Sequence, residues 1–263
     1  MQNLWLFQLS IFTAQFGTQL AFSQLTSPAG DEIKAEAFRT KSVPDSAIFY
    51  FEKASAGYLL EGNSQKLMHC YNQIGTILTR QDKFKEADTY LEKALATGRS
   101  SHDTNSLEMA ATYLGLGVNY GGQNQFEQSL YYHNKALAIR ISSLGRNSAD
   151  VATSYGNIGN VCFRMKDYDQ AIRAHTEALE IREKIFGKQS VEIVQSYNNL
   201  GNAYKEKKEY QQALKYYELA LDLKIAQLGK DHKDLGRYYK NLSDVYYLMG
   251  NTRKGDEYKI LSQ

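Results

Sequence analysis

Proline is almost missing from this sequence: there are 2 in 263 residues. A residue that breaks helix interiors is therefore scarce, and long helices can run with few interruptions. Cysteine is equally rare, with 2 residues, Cys70 and Cys162, which excludes a disulfide-stapled framework. Charge of one sign is lacking too. Lys and Arg number 31 against 29 Asp and Glu, giving a net charge of +2 with the two signs interspersed. That balance argues against nucleic acid or an anionic membrane surface as a partner. The longest apolar stretch, Leu4 to Ala14, is interrupted by Gln8. It falls short of the roughly 20 residues a bilayer span needs, so the chain does not read as an integral membrane protein.

Reactive constellations are missing as well. No HExxH, CxxC or phosphate-cradling glycine loop occurs. His133 and His175 stand 42 residues apart in one column of a predicted second helix, expected to face outward or sit half buried. Two histidines without a third ligand do not make a zinc site. The expectation is a protein with no catalytic residues, no cofactor and no metal.

Residues 1–30 have a patch of their own. The apolar run has the length of a signal-peptide core, and Ala21-Phe22-Ser23 gives a small-x-small pattern for cleavage before Gln24. No Lys or Arg precedes the run. Residues 1–23 thus read as a signal peptide of an exported protein, periplasmic or extracellular; the alternative is an apolar N-terminal helix on a cytoplasmic protein. Residues 24–43 show no sustained period and read as a linker, with a short helix around Glu32 to Arg39. Pro44 suits the first position of a helix, and Ala47, Tyr50, Phe51 and Ala54 form its apolar stripe. Residues 44–63 read as a half repeat that closes the N-terminal end.

What the chain has in abundance is repetition. Tyr71, Tyr113, Tyr155, Tyr197 and Tyr239 are each 42 residues apart. Ile74, Leu116, Ile158, Leu200 and Leu242 keep the same step, followed by Gly75, Gly117, Gly159 and Gly201. A second block gives Ala87, Ser129, Ala171, Ala213 and Gly255, then Ala94, Ala136, Ala178 and Ala220. Each block occupies i, i+3, i+4 and i+7, one helical face, so each repeat is a helical hairpin. The recurring tyrosines account for much of the total of 20. Glycine inside a helix costs roughly 0.5–1 kcal/mol relative to alanine. Close approach of the Gly column to the partner helix's Ala column is the simplest compensation. Ser64, Ser106, Ser148 and Ser190 stand where an N-cap is needed, and Gly145, Gly187 and Gly229 where a C-cap is needed. The second helix of repeat one lacks that glycine and is expected to end near Gly98. Repeats follow at 64–105, 106–147, 148–189, 190–231 and 232–263, the last reading as incomplete. In such a stack the two thiols fall in different repeats, beyond disulfide reach, and read as small buried hydrophobes.

These columns resemble the tetratricopeptide repeat: a bulky residue, Leu-Gly three and four positions on, then two alanines spaced by seven. Typical repeats of that family are ~34 residues and end in proline. These lack the proline and run longer, and ALEIREKIFGKQSVEIVQSYNNLGNAY is similar to the kinesin-light-chain type. The resemblance implies an all-α fold, a right-handed superhelical solenoid of antiparallel helix hairpins. It also implies a monomeric, non-catalytic scaffold that holds a protein or peptide in a concave groove lined by the first helices. The alternative it implies is the recruiting part of a regulatory system whose caspase-like protease or sensor kinase lies in another chain.

On that groove the resemblance places the stripe opposite the Tyr column. In repeat one it is His69, Asn72, Gln73, Thr76, Thr79 and Arg80. Later repeats carry Asn157, Asn199 and Asn241 in one column, Asn160 and Asn202 in another, and Asn198 beside them. An amide offers donors and an acceptor, so such a ladder can hold an extended peptide by its main chain; alternatively these residues bond between neighbouring helices. Repeat two has no polar side chain on the stripe, where Ala111, Leu114 and Val118 leave an apolar trough for an anchor or for residues 24–43 to cover. The charged members Arg164, Lys205, Arg237 and Lys240 outnumber Glu206 and Asp244, a weak preference for acidic ligands, and Tyr247 is a further contact.

Overall fold

The structure, a computed structural model, describes residues 27–263. The signal-peptide reading of residues 1–23 lies outside the described residues. The described residues form twelve α-helices and two short 3₁₀ turns. The described residues divide into two compact units, one ending at His102 and the other Asp103–Gln263.

The first unit holds α1 (Pro28–Thr40), α2 (Pro44–Leu60), α3 (Ser64–Arg80) and α4 (Phe84–Ser100), each packed on the next. The short helix expected around Glu32 to Arg39 is longer than read, taking up Pro28–Thr40 of the expected linker. Pro28 opens α1, and the Ser27 hydroxyl accepts from the Gly30 amide at 3.1 Å as its cap. The first hairpin among the described residues is α1 and α2, so residues 44–63 are the second half of a pair. What hid it is the polar way α1 is held. Only Asp31 and Ala35 of α1 are buried. Its anchor is Glu32, which accepts from the Tyr58 hydroxyl at 2.5 Å on α2 and from Lys66 at 2.9 Å on α3. Pro28 also requires a glycine opposite: a Cβ on Gly57 would stand 2.3 Å from its ring. The helix α4 runs to Ser100, two residues past Gly98.

The second unit repeats one hairpin four times: α5 (Leu107–Gly122) with α6 (Phe126–Leu144), α7 (Ala149–Arg164) with α8 (Tyr168–Phe186), α9 (Val194–Glu206) with α10 (Tyr210–Leu228), and α11 (Gly236–Leu248) with α12 (Thr252–Leu261). Each second helix also packs on the first helix of the next hairpin. Ser106 and Ser148 cap α5 and α7, accepting from Met109 and Val151 amides. Ser190 caps the 3₁₀ turn before α9, whereas α3 is capped by Asn63 and Ser64 is its first residue. Asn63 serves because its side chain reaches the Lys66 amide at 3.2 Å. Gly145, Gly187 and Gly229 end the long second helices at φ +76°, +83° and +85°, a region only glycine enters freely.

The Gly column faces a different partner from the expected one. A Cβ on Gly75 would meet the Leu91 side chain at 2.6 Å, on Gly117 the His133 ring at 2.6 Å, on Gly159 the His175 ring at 2.5 Å and on Gly201 the Tyr217 ring at 2.6 Å. The partner column is therefore large, which is why the glycines cannot grow. It also buries the two histidines, expected to face outward or sit half buried: each is only 2% exposed. Aromatic pairs pack α5 on α6 and α9 on α10, Tyr113 on Tyr132 and Tyr197 on Tyr216 with ring centroids 6.0 and 6.1 Å apart. Of the Tyr column, Tyr71, Tyr155 and Tyr239 are half-buried and Tyr113 and Tyr197 buried. Cys70 and Cys162 are both buried and form no disulfide with each other.

Candidate functional site

The first helices α7, α9 and α11 of the second unit turn a polar face away from the Tyr and Gly columns. Asn157, Asn198, Asn199, Asn202 and Asn241 are half-buried there and Asn160 is exposed. The amides link successive repeats: Asn199 donates to Asn160 Oδ1 at 3.4 Å, and Asn241 to Asn198 Oδ1 at 3.5 Å. Both are long beside the usual 2.7–3.2 Å for N–H···O, and so weak. Asn199 also accepts from Gln195 at 2.7 Å. Asn202 differs, because its Oδ1 accepts from the Tyr217 hydroxyl at 2.5 Å within its own hairpin. Burial pushes the Tyr217 phenol far up, which keeps it a donor. Asn202 is thereby tied to the core rather than to the ladder.

Most of the cations expected on this face are already engaged. Lys240 pairs with Asp244 at 3.1 Å and Lys205 with Glu206 at 3.7 Å. Arg164 turns back on repeat two, donating to the Gly121 carbonyl at 2.7 Å and to Asn124 at 2.8 Å. Arg237 bends over the Tyr238 ring, 4.7 Å from its centroid, and lines a separate cavity of about 360 Å³ with Lys224, Leu228 and Lys233. The basic excess counted along the sequence is therefore largely neutralised or directed elsewhere. Tyr247 is exposed and donates to Asp256 at 2.6 Å, a bond that raises its own pKa.

The repeat-two stripe is apolar as read. Val118 is 45% exposed, and Ala111 and Leu114 are half-buried. In repeat one Asn72 and Thr79 are buried, which takes them off the surface stripe. Sequence reasoning missed a cavity of about 570 Å³ at the far end of the face. It is walled by Tyr210, Tyr247 and Leu248, with Lys205, Glu206, Lys208 and Asp244 contributing polar groups. Its signal was present only by comparing helix ends, where Leu248 replaces an arginine found two repeats earlier. No group of three His, Cys, Asp or Glu among the described residues is arranged to hold a metal, and no described helix is long and apolar enough to cross a membrane.

Stacked helical hairpins with a polar, amide-bearing face define a class, the helical-repeat interaction scaffold. The chain belongs to the tetratricopeptide repeat family, whose model matches residues 67–142, 150–226 and 192–254. No curated protein matches the sequence. Among solved structures it is similar to BtubC (BKLC) from P. vanneervenii, with 20% identity over 89% of each chain and a TM-score of 0.67. It is also similar to a Podosopora anserina putative kinesin light chain with nearly identical TPR-like repeats, at 15% identity over 76% of this chain and 94% of that one, TM-score 0.68. A third is a tetratricopeptide repeat protein from Parabacteroides merdae, at 18% identity over 88% of this chain and 77% of that one, TM-score 0.60. At these identities the likeness is one of fold.

Proposed function

We propose that the second unit holds an extended segment of a partner protein along the face of α7, α9 and α11, chiefly by its main chain. The observation that carries this reading is the pair of long amide contacts, Asn199 to Asn160 and Asn241 to Asn198, at 3.4 and 3.5 Å. Bonds of that length lose little when exchanged for the N–H and C=O groups of a peptide. The Asn157 side chain makes no hydrogen bond among the described residues and lies in the same column as Asn199 and Asn241. The apolar stripe of Ala111, Leu114 and Val118 one repeat earlier suits a hydrophobic anchor of the same ligand. Charge contributes little to the selection, because Lys205 and Lys240 are already paired.

The test is selection of twelve-residue peptides on the purified chain, followed by binding to a variant with Asn157, Asn199 and Asn241 all changed to Ala. Loss of binding with unchanged helical circular dichroism is the expected result. Undiminished binding would refute the face. The reading also places the protein outside the cytoplasm, on the strength of the Leu4 to Ala14 run and Ala21-Phe22-Ser23. Mass spectrometry of the N-terminal peptide from the native host checks it, with Gln24 expected as first residue and Met1 contradicting export.

A further inference from the structure

Within the second unit, one arginine shows how the notch at a hairpin turn is filled. The Arg164 guanidinium, at the end of α7, lies over the Phe126 ring 4.9 Å from its centroid. It donates to the Gly121 carbonyl at 2.7 Å and to Asn124 Oδ1 at 2.8 Å. The notch between α5, α6 and α7 is thus occupied by the protein's own cation. Two repeats on, Phe126 becomes Tyr210, Gly121 becomes Lys205, Asn124 becomes Lys208 and Arg164 becomes Leu248. The aromatic floor and the helix-end carbonyl persist while the plug has gone. That is where the cavity of about 570 Å³ opens.

We propose that this notch between α9, α10 and α11 receives a guanidinium group from outside, an arginine side chain of the bound peptide. The proposal rests on the peptide-binding reading above. The Lys205 carbonyl lies in the last turn of α9, the negative end of the helix dipole, and accepts there from the Lys208 amide at 2.9 Å. The carboxylates of Glu206 and Asp244 line the cavity, Asp244 holding Lys240 at 3.1 Å in an exposed pair that exchanges for another cation, and Tyr210 and Tyr247 offer ring faces on which a planar cation stacks. Lys205 and Lys208 oppose it. Lys205 is paired with Glu206 at 3.7 Å, a partly exposed pair that gives way easily. Lys208 is exposed on the turn, makes no ion pair among the described residues, and has a flexible stem that turns to water. The comparable recess of the first unit, about 230 Å³, is lined by Arg39, Pro44, Ile77 and Arg80 and has neither aromatic floor nor carboxylate. It is not a cation receptor.

The experiment uses small probes on the full chain, followed by nuclear magnetic resonance: butylguanidinium, butylammonium and butyrate. Butylguanidinium should shift the amide signals of residues 205–210 and 244–248 saturably, ahead of butylammonium, and butyrate should not. A variant carrying Lys208→Asn and Leu248→Arg rebuilds the plug seen around Arg164, and should weaken butylguanidinium at least about tenfold. If that variant loses helical signal, Tyr210→Leu carries the same expectation through loss of the ring. Absence of saturable shifts, or equal shifts with butyrate, would overturn the proposal. Selected peptides that need Asn157, Asn199 and Asn241 yet lack arginine and bind the plugged variant normally would overturn it too, while leaving the peptide-binding face intact.

Discussion

At the scale of single residues, the column Leu91, His133, His175 and Tyr217 decides the most. Each presses on a helix glycine, and two of the four are histidines, which titrate below neutral pH. Burial, reinforced by Arg140 beside His133 and Arg182 beside His175, pulls each histidine down to about 4. The unfolded chain, with histidines near 6.5, therefore binds more protons between those values. Stability is complete above about pH 6.5 and falls as the pH drops towards 4. At about 1.4 kcal/mol per pKa unit the loss is on the order of 3 kcal/mol per histidine. Urea unfolding across this range should show the slope, and His133→Leu with His175→Leu should flatten it, since Leu91 already fills the same place over Gly75. The double variant should not lose stability at pH 7, because His133 Nδ1 is buried without a hydrogen-bond partner. An unaltered slope would mean that other groups govern the acid limb. Gly159→Ala tests the other side of the contact. Its Cβ would meet the His175 ring at 2.5 Å. A net loss of about 1–3 kcal/mol is expected despite alanine's better helix propensity, read as a lower urea midpoint. The glycine requirement was legible in the sequence, but its partner was not. A 42-residue step marks which residues are equivalent without saying which column meets which across a hairpin.

At the scale of elements, α1 is the helix whose full extent and pairing with α2 hydrophobic periodicity does not give. Its contacts are made by Glu32 to Tyr58 and Lys66 and by Asp31 to Lys53 at 3.4 Å, with Ala35 its only buried apolar residue. Pattern reading weighs apolar residues, so a helix held largely by polar bonds shows only a part, Glu32 to Arg39, and the rest passes for linker. Glu32→Ala leaves the buried Tyr58 hydroxyl unpaired and should cost about 1–3 kcal/mol locally. Hydrogen exchange of α1 and α2 amides measures this directly, where a repeat protein's global unfolding would blur it. Unchanged protection would show that α1 is held by other means. The remaining elements were legible because their signals were doubled: a serine cap before α5 and α7 and a glycine cap after α6, α8 and α10 bracket the apolar stripes.

For the molecule as a whole, periodicity fixes the repeated hairpin, and the proposed ligand selection rests on the departures from it. Family membership gives an interaction scaffold, and the repeat core gives nothing further about the ligand. The differences between copies do: amides on α7, α9 and α11, an apolar stripe on α5, and a notch that Arg164 fills in one place and nothing fills in another. The candidate face was half legible. The sequence showed which residues line up, but not that Asn202 is tied to Tyr217 or that the lysines are already paired, since those depend on side-chain geometry. The central claim is that the main chain of a peptide is what this face holds. The direct measurement is isothermal titration of one selected peptide against a set of singly N-methylated copies, which lose a backbone donor and keep every side chain. The account predicts that methylation at the positions over α7, α9 and α11 weakens binding about tenfold or more, the worth of one good hydrogen bond. Affinity that is indifferent to N-methylation, and lost only on changing side chains, would contradict it.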